Sequence, residues 1–353
     1  MTKRKIIVAV LNWGLGHASR SIPIVYALLE DGFDPVLASD GESLLLLRKE
    51  FPKLEWFELP SYHITYPRQG RFMKIHFILK GPLMLKAIFA EYNAIRSFIS
   101  SDGSVAGIIS DNRLGCFSKK VPSAYVTHQL QLLSGSTSKI TSRVHHFFIE
   151  RYSECWVPDT KEPGNLTGEM SVSKMYNKPV KYIGPLSRYK KRKADKSYDL
   201  LVLLSGPEPQ RRLLEEILLM ELKGYEGRIL FIRGKVDAES TVEEKGKMTI
   251  LNYLTGTPLE LAINAAGLVL ARSGYSTIMD LAVLGKKAFF IPTPGQFEQE
   301  YLANRLQSQK IAPFCSQERF SLKELEKTKS FTGFTAIPRS GSLAGVLALF
   351  HGK

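Results

Sequence analysis

Residues 5–20 carry the sequence KIIVAVLNWGLGHASR, which indicates the fold of this protein. Lys5–Leu11 is a continuous apolar run rich in β-branched side chains, which is typical of a strand buried on both faces of a parallel sheet. A glycine-containing loop follows, then a helical pattern at Ile22–Leu29 and a second apolar strand near Pro35–Ala38. This order predicts a strand–helix–strand unit near the start of the chain.

The same pattern restarts in the second half, where Asp199–Leu204 reads DLLVLL and leads into a helical pattern at Gln210–Met220. Further strands are predicted at Gly107–Ser110, Ala124–Thr127, Trp156–Pro158, Val180–Ile183, Arg228–Ile232, Thr249–Leu251, Leu268–Ala271 and Ala288–Ile291. Strands that alternate with helices favour parallel sheets with right-handed crossovers. The sequence therefore predicts an α/β protein with two doubly wound, Rossmann-like domains that face each other across a cleft. The ligand is expected at the carboxyl ends of the strands.

The length of 353 residues fits two domains. Gly184 and Pro185 open a polar, basic stretch that is typical of a linker between domains. We predict an N-terminal domain at residues 1–186, a linker at 187–197 and a C-terminal domain at 198–353. The last helix is a candidate for packing back on the N-terminal domain.

Composition and targeting signals predict a cytoplasmic protein. The apolar run Ile6–Leu11 is too short for a signal peptide, and no stretch approaches the ~20 apolar residues that a membrane span needs. Cys116, Cys155 and Cys315 lie too far apart for a disulfide framework or a CxxC metal pattern.

The formal net charge is +14, and the apolar region at residues 61–100 carries six basic residues against one acid, Glu91. Its basic residues are Arg68, Arg71, Lys74, Lys80, Lys86 and Arg96. Residues 68–89 therefore fit the interface of an anionic membrane, and the alternative is a pair of core helices broken at Gly81-Pro82. The cluster Arg188–Lys193 is interpreted as an exposed linker. No nucleic-acid partner is expected, because no binding motif accompanies the charge.

Two polar loops in the second half carry the strongest functional pattern. Residues 272–280 read RSGYSTIMD, where a strand ends and a helix begins. Backbone N–H groups at such a helix start bind anions, and Asp280 is placed to accept from ribose hydroxyls. The next loop, residues 291–300, brings Gln299 and Glu300, whose side chains suit sugar hydroxyls. Each loop alone also fits an ordinary capped helix, but two at one sheet edge favour a ligand site.

These two loops resemble the donor site of glycosyltransferase family 28, which includes the enzyme that adds N-acetylglucosamine to peptidoglycan lipid intermediates and the plant galactolipid synthases. The resemblance implies the GT-B fold, with an acceptor-binding N-terminal domain and a nucleotide-sugar-binding C-terminal domain. It implies that Ser273 and Gly274 bind the phosphates, Asp280 the ribose, and Gln299 with Glu300 the sugar. At the ribose position the family usually has Glu, whereas this chain has Asp280.

The remaining donor-binding candidates surround these loops in the C-terminal half. Ser205 and Gly206 are expected to form a turn after a strand. This motif resembles that of a group of predicted GT-B transferases in bacteria and archaea. The segment 251–254 is expected to line the base pocket, with uridine implied by the resemblance alone. The other candidates are Arg233, Tyr253, Arg272, Ser276, Thr277 and Gln296.

The N-terminal loop resembles the Gly-x-Gly-His loop of GT-B transferases, where a histidine often removes the acceptor proton. His17 suits this role because its pKa is near neutral, and Asp111 ends a later strand of the same domain, where it is expected to orient the ring. The acceptor-side candidates are Gly14, Gly16, Arg20 and His128.

The sequence contains no Asp-x-Asp pair, and residues 272–308, which hold the two donor loops, contain no Glu-x7-Glu pattern. We therefore predict a hexosyltransferase that inverts the anomeric configuration and uses neither a metal nor a cofactor. The donor is expected to be a UDP-sugar. The sequence does not decide whether the acceptor hydroxyl belongs to a lipid-linked molecule, a glycan, a peptide or a small molecule. If the acceptor is lipid-linked, the protein acts on the inner face of the membrane.

Two alternatives from other classes stay open. A sugar-nucleotide 2-epimerase shares the fold and the type of ligand. A dinucleotide-binding oxidoreductase would use Gly14-x-Gly16-x-x-Ser19 and Asp40, although the third glycine of its fingerprint is missing.

Overall fold

The computed structural model describes residues 3–63, 73–132, 138–161, 164–172, 176–206, 208–235, 241–335 and 343–352, with only the backbone at 73–78 and 138–140. Arg68, Arg71 and Lys74 of the predicted basic segment lie outside the described side chains. The chain forms two compact units, one built on Met1–Ile64, Phe77–Arg188 and Arg339–Lys353 and the other on Tyr189–Pro338.

In the first unit, the described strands form one parallel seven-stranded sheet in the order β3-β2-β1-β4-β5-β6-β7. The strands are β1 (Lys5–Val10), β2 (Asp34–Ser39), β3 (Trp56–Glu58), β4 (Val105–Asp111), β5 (Ser123–Val126), β6 (Glu154–Val157) and β7 (Val180–Tyr182). The helices along this part of the chain are α1 (Leu15–Glu30), α2 (Gly41–Glu50), α3 (Met73–Ser101) and α4 (Ser138–Ile149).

The second unit has a six-stranded sheet in the order β10-β11-β9-β8-β12-β13 over its described residues. Its strands are β8 (Tyr198–Leu203), β9 (Ile229–Ile232), β10 (Val242–Lys245), β11 (Met248–Leu251), β12 (Ala266–Ala271) and β13 (Ala288–Phe290). Its helices are α5 (Gln210–Glu221), α6 (Gly256–Ala265), α7 (Tyr275–Leu284) and α8 (Phe297–Ser308). Only the edge pair β10–β11 is antiparallel in this sheet as described.

The predicted strands are confirmed, with boundaries that differ by one or two residues. The central strands β1 and β8 are buried because their apolar side chains pack on both faces of the sheet. In the second unit Leu200, Val202, Phe231 and Phe289 share one core. The edge strands β3 and β10 were not predicted, because they have only three and four residues and are largely exposed.

Helix α1 begins at Leu15, seven residues before the predicted Ile22, and it contains Pro23. The small and polar residues of its first turns look like a loop in sequence. Partners on a neighbouring strand stabilise these turns, as tertiary contacts commonly override propensity.

Helix α3 runs without interruption through Gly81 and Pro82, so the predicted break there is wrong. Ile88 and Ile95 are buried against the first unit, and this packing compensates for the hydrogen bond that Pro82 removes. No helix among the described residues is long and apolar enough to cross a membrane.

The expectation of an exposed linker is only partly correct. Tyr189 is buried, and the residues that follow are exposed but attached to α6. Lys190 N–H donates to Glu260 over 2.9 Å, and Arg192 N–H donates to Asn264 over 2.9 Å. This stretch is therefore anchored to the second unit.

The C-terminal segment belongs to the first unit. Helix α9 (Ala344–Leu347) leads into a 3-10 turn that ends at Phe350, which is fully buried. The Phe350 ring lies edge-on to Trp156 at 5.9 Å and to Phe33 at 6.4 Å. Arg4 donates to the carbonyl of His351 over 2.7 Å, which ties the segment to the start of β1.

Candidate active site

The topology of the first sheet gathers the N-terminal candidates at one edge. Strands β1, β4 and β5 are parallel neighbours, so their carboxyl ends meet. Helix α1 follows β1 and carries His17, β4 ends at Asp111, and His128 lies two residues after β5.

His17 and Asp111, the predicted catalytic pair, are in contact. Nδ1 of His17 lies 2.8 Å from Oδ1 of Asp111. Because a carboxylate only accepts, Nδ1 carries the proton, and Nε2 keeps the lone pair that a general base needs. The His17 side chain is 13% exposed and that of Asp111 is 1% exposed, so the ring is reachable while the carboxylate is buried.

Three more side chains complete this cluster. Arg20 and Ser21 lie one turn after His17 on the same face of α1. Arg20 Nε donates to Oδ2 of Asp111 over 2.7 Å, and Arg20 Nη2 donates to Oδ1. Ser21, which the sequence did not suggest, donates to Oδ2 over 3.1 Å. Arg20 Nη1 also lies 3.0 Å from Nδ1 of His128, so all four predicted polar residues meet.

The protonation state of the pair suits acid–base chemistry. Burial and the charge of Arg20 lower the pKa of His17, against the opposing effect of Asp111. Burial alone would raise the pKa of Asp111, but Arg20 and His17 hold it well below its usual range. At neutral pH the ring is therefore neutral and the carboxylate ionised.

The two glycines of the N-terminal loop have different roles. Gly14 precedes α1 with φ 73°, a conformation that favours glycine. Gly16 lies within the first turn of α1, because the helix begins earlier than predicted. Only Gly14 changes the direction of the chain before His17.

A second buried cluster, centred on Arg113, supports the same strand ends. Arg113 Nη1 donates to Glu91 of α3 over 2.7 Å, Nη2 donates to Asp40, and Nε donates to the carbonyl of Val10 over 2.7 Å. Burial would lower the pKa of Arg113, but Glu91 and Asp40 raise it. The sequence analysis missed Arg113; its closeness to Asp111 at a strand end was the available signal.

Asp40 is also engaged by Asn12, whose Nδ2 donates to it over 3.2 Å. Both oxygens of this carboxylate are therefore hydrogen-bonded within the first unit, and Asp40 is buried. The geometry therefore gives no support to a dinucleotide site at Gly14, Gly16 and Asp40.

In the second unit, the two predicted donor loops lie side by side because β12 and β13 are parallel neighbours. Ser273 Oγ donates to the carbonyl of Gln299 over 2.8 Å, and the side-chain oxygen of Gln299 accepts from Thr293 N–H over 2.8 Å. Glu300 accepts from Gly295 N–H over 3.1 Å. Gln299 thus connects both loops.

Gly274 caps α7 with no side-chain hydrogen bond, so the cap leaves the N–H groups of the first turn to other partners. The helix begins at Tyr275, close to the predicted start at Ser276. Ser276 and Thr277 are half-buried in its first turn, and Asp280 is half-buried in the second.

Arg272 and Ser273 are buried rather than presented to a ligand. Arg272 donates to the carbonyls of Ile291 and Pro292 over 3.1 and 3.0 Å and to the Gln317 side chain over 2.6 Å. Burial lowers the pKa of Arg272 to about 9. The geometry favours a role in holding the loops together over the phosphate contact that the resemblance implies for Ser273 and over the donor contact expected of Arg272.

The other donor candidates follow neighbouring strands at the same edge. Ser205 and Gly206 come after β8 and are exposed. Arg233 comes after β9 and pairs with Glu215 at 2.7 Å and Glu243 at 3.0 Å, so these carboxylates would compete with a diphosphate for it. Tyr253 follows β11 and Gln296 immediately precedes α8, and both are half-buried.

Comparison with known proteins shows which family this chain resembles. Residues 206–330 match the glycosyltransferase family 28 C-terminal domain. The UDP-N-acetylglucosamine--N-acetylmuramyl-(pentapeptide) pyrophosphoryl-undecaprenol N-acetylglucosamine transferase of Buchnera aphidicola subsp. Schizaphis graminum is 23% identical over 350 residues, covering 93% of this chain and 89% of that protein.

Solved structures show the same fold. The glycotransferase of kitacinnamycin has a TM-score of 0.67 at 12% identity, covering 99% of both chains. MurG of Acinetobacter baumannii has a TM-score of 0.58 at 16% identity, covering 99% of both chains.

The chain has the fold of the GT-B glycosyltransferases. The chain is a hexosyltransferase similar to glycosyltransferase family 28, which confirms the resemblance seen in the sequence. The epimerase and oxidoreductase alternatives receive no support from these relatives.

Proposed function

We propose that this protein transfers a hexose from a UDP-sugar to a hydroxyl of a lipid-linked acceptor, with inversion and without a metal. The observation that carries the proposal is the pair of joined loops at residues 272–280 and 291–300, inside the region that matches the family 28 domain. The name of the Buchnera relative supports the choice of donor and acceptor, since that enzyme uses a UDP-sugar and an undecaprenol-linked acceptor.

On the donor side, the start of α7 offers backbone N–H groups and the hydroxyls of Ser276 and Thr277 to the diphosphate. Asp280, one turn further on, accepts from the ribose, and Gln299 with Glu300 contacts the sugar. Negative charge that develops on the leaving nucleotide is stabilised by the helix dipole and these hydroxyls.

On the acceptor side, His17 Nε2 takes the proton of the attacking hydroxyl while Asp111 holds Nδ1–H. The acceptor oxygen bonds to the anomeric carbon as the bond from that carbon to the diphosphate breaks. One displacement from the opposite face inverts the configuration, and the nucleoside diphosphate leaves.

An exposed apolar surface supports a membrane-associated acceptor. Its members on α3 and α4 are Leu79, Leu83, Leu85, Phe89, Val144 and Phe147. The two helices are joined beneath it, where Ile88 packs with Phe148. Lys86 and Arg143 are exposed on the same helices, and basic residues beside apolar ones suit the interface of an anionic bilayer. We propose peripheral binding to the inner face of the membrane through this surface.

The donor proposal is tested by thermal shift of the purified protein with UDP, GDP, TDP, UDP-sugars and NAD. UDP or a UDP-sugar is expected to raise the melting temperature, since a ligand at about 100 Kd stabilises by roughly 2.7 kcal/mol. Asp280→Ala is expected to lose most of this shift. Glu216→Ala, which removes an exposed carboxylate of α5, serves as the matched control and should keep it. A shift with NAD alone would overturn the proposal.

The acid–base proposal is tested with His17→Ala and His17→Gln in a transfer assay on undecaprenyl-pyrophosphate-linked sugar acceptors. Loss of a general base is expected to lower kcat by about 10²–10⁴-fold with donor binding retained. Unchanged turnover in both variants would exclude His17 as the base, and retained anomeric configuration in the product would exclude single displacement.

A further inference from the structure

Asp111 has hydrogen-bond partners besides His17, and they occupy both of its carboxylate oxygens. Oδ1 of Asp111 faces both His17 Nδ1 and Arg20 Nη2, and Oδ2 accepts from Arg20 Nε and from Ser21. Arg20 therefore spans the carboxylate with two N–H groups, in the bidentate geometry that fixes both its position and its charge. Both Arg20 and Asp111 are almost fully buried.

A histidine paired only with a buried carboxylate is stabilised in its protonated form, because the negative charge favours the imidazolium. Arg20 places a positive charge against that same carboxylate and 3.0 Å from His17 Nδ1. The charges of Arg20 and Asp111 therefore nearly cancel in their effect on the His17 ring. The carboxylate still accepts the Nδ1 proton and still sets the tautomer.

We propose that Arg20 is a positioning residue of this site: it fixes both oxygens of Asp111 and offsets their charge, so that His17 remains a neutral ring with Nε2 as its base. This assignment rests on the proposed role of His17 as the general base. It predicts that Arg20, without contacting the acceptor, determines the lower pH limit of transfer.

In the part of the chain that the structure describes, the charged and titratable groups that face His17 come from three elements. They are Arg20 on α1, Asp111 at the end of β4, and His128 after β5. Arg20 and His128 both lower the pKa of His17, and Asp111 raises it, while burial contributes most of the lowering. If Arg20 alone is removed, Asp111 is the nearest charge, and the pKa of His17 should rise part of the way back to its ordinary value.

The test is a histidine-selective NMR titration of the full chain, with the His17 signal assigned by its loss in His17→Gln. Arg20→Gln is expected to move the His17 titration to higher pH, and Arg20→Lys, which keeps the charge, to leave it near the native position. Ser21→Ala is the matched control, because it removes one hydrogen bond to Asp111 without a change in charge. It should leave the midpoint in place. An unchanged midpoint in Arg20→Gln would overturn the proposal.

Arg20→Gln leaves a buried carboxylate without its cation, which can prevent folding. In that event Asp111→Asn is compared with the double variant Arg20→Gln/Asp111→Asn, which has neither charge. The double variant is expected to titrate at higher pH than Asp111→Asn, and equal midpoints would overturn the proposal. The titration does not depend on activity. Full transfer activity in His17→Ala would refute the role of His17 as general base, but it would not change the measured effect of Arg20 on the His17 titration.

Discussion

At the scale of single residues, His145 is a second buried histidine of the first unit with a strongly altered pKa. Burial, with a smaller effect of His146, lowers its pKa from 6.5 to about 3. Nε2 of His145 lies 3.2 Å from the hydroxyl of Tyr125, so the side chain is held inside the unit as a neutral ring. It has no place in the proposed chemistry, but it affects the response of the fold to acid.

The sign of this effect follows from proton linkage. Below pH 6.5 the unfolded chain binds a proton at His145, whereas the folded chain does not until about pH 3. Stability is therefore expected to fall as pH decreases through this window, by on the order of 1 kcal/mol per pH unit from this residue. His17 acts in the same direction, because its folded-state pKa is also lowered.

We predict that His145→Gln loses less stability than the native protein between pH 7 and pH 5. The measurement is the melting temperature at each pH, and His63→Gln, at an exposed histidine, is the matched control. An equal pH dependence in the native protein and His145→Gln would show that His145 does not cause the loss of stability at low pH.

At the scale of elements, the C-terminal segment stabilises the first sheet through one aromatic side chain. Gly107 of β4 lies directly beneath Phe350, and a Cβ at this glycine would come within 2.1 Å of the Phe350 ring. The strand therefore needs glycine at this position for steric reasons, independently of its φ.

We predict that Phe350→Ala costs about 3–5 kcal/mol, as expected for an emptied aromatic site. Gly107→Ala should be strongly destabilising in the native background and nearly neutral in the Phe350→Ala background. The double-mutant cycle is measured by urea unfolding with tryptophan fluorescence. All three tryptophans, Trp13, Trp56 and Trp156, lie in the first unit, so the signal reports that unit. Equal costs of Gly107→Ala in both backgrounds would contradict the steric explanation.

At the scale of the whole molecule, the apolar surface on α3 and α4 predicts how the protein partitions between solution and membrane. Leu83 and Phe89 are 60% and 65% exposed, and burial of such side chains in a bilayer is favourable by roughly 1.5–3 kcal/mol each. The net charge of +14 adds attraction to anionic lipid.

We predict that the protein sediments with phosphatidylglycerol-containing vesicles and much less with pure phosphatidylcholine vesicles. Leu83→Glu/Phe89→Glu should reduce this binding by about tenfold or more, since each change removes apolar area and adds repulsion. Met220→Glu is the matched control, because Met220 is 61% exposed on α5 of the second unit. Equal loss in the control would show that charge alone, and not this surface, accounts for binding.

The local pattern of the sequence was sufficient for the architecture and for the contact between His17 and Asp111. Buried parallel strands leave continuous apolar runs, as at Lys5–Val10, and the loops that follow them carry the polar residues. His17 and Asp111 could be paired because both come directly after strands of one predicted sheet, which places them at the same edge. The loops at residues 272–280 and 291–300 were expected at one sheet edge for the same reason, and the hydrogen bond from Ser273 to Gln299 joins them.

Tertiary structure alone decided how the buried charges are used. Arg20, Arg113 and Arg272 look alike in sequence, yet one binds the carboxylate of Asp111, one joins three strand ends to α3, and one holds together the loops that follow β12 and β13. Long-range partners also decided the early start of α1 and the continuity of α3 through Pro82. The physical reason is that periodicity reports which face of an element is buried, whereas the direction of a side-chain hydrogen bond depends on groups that are distant in the chain.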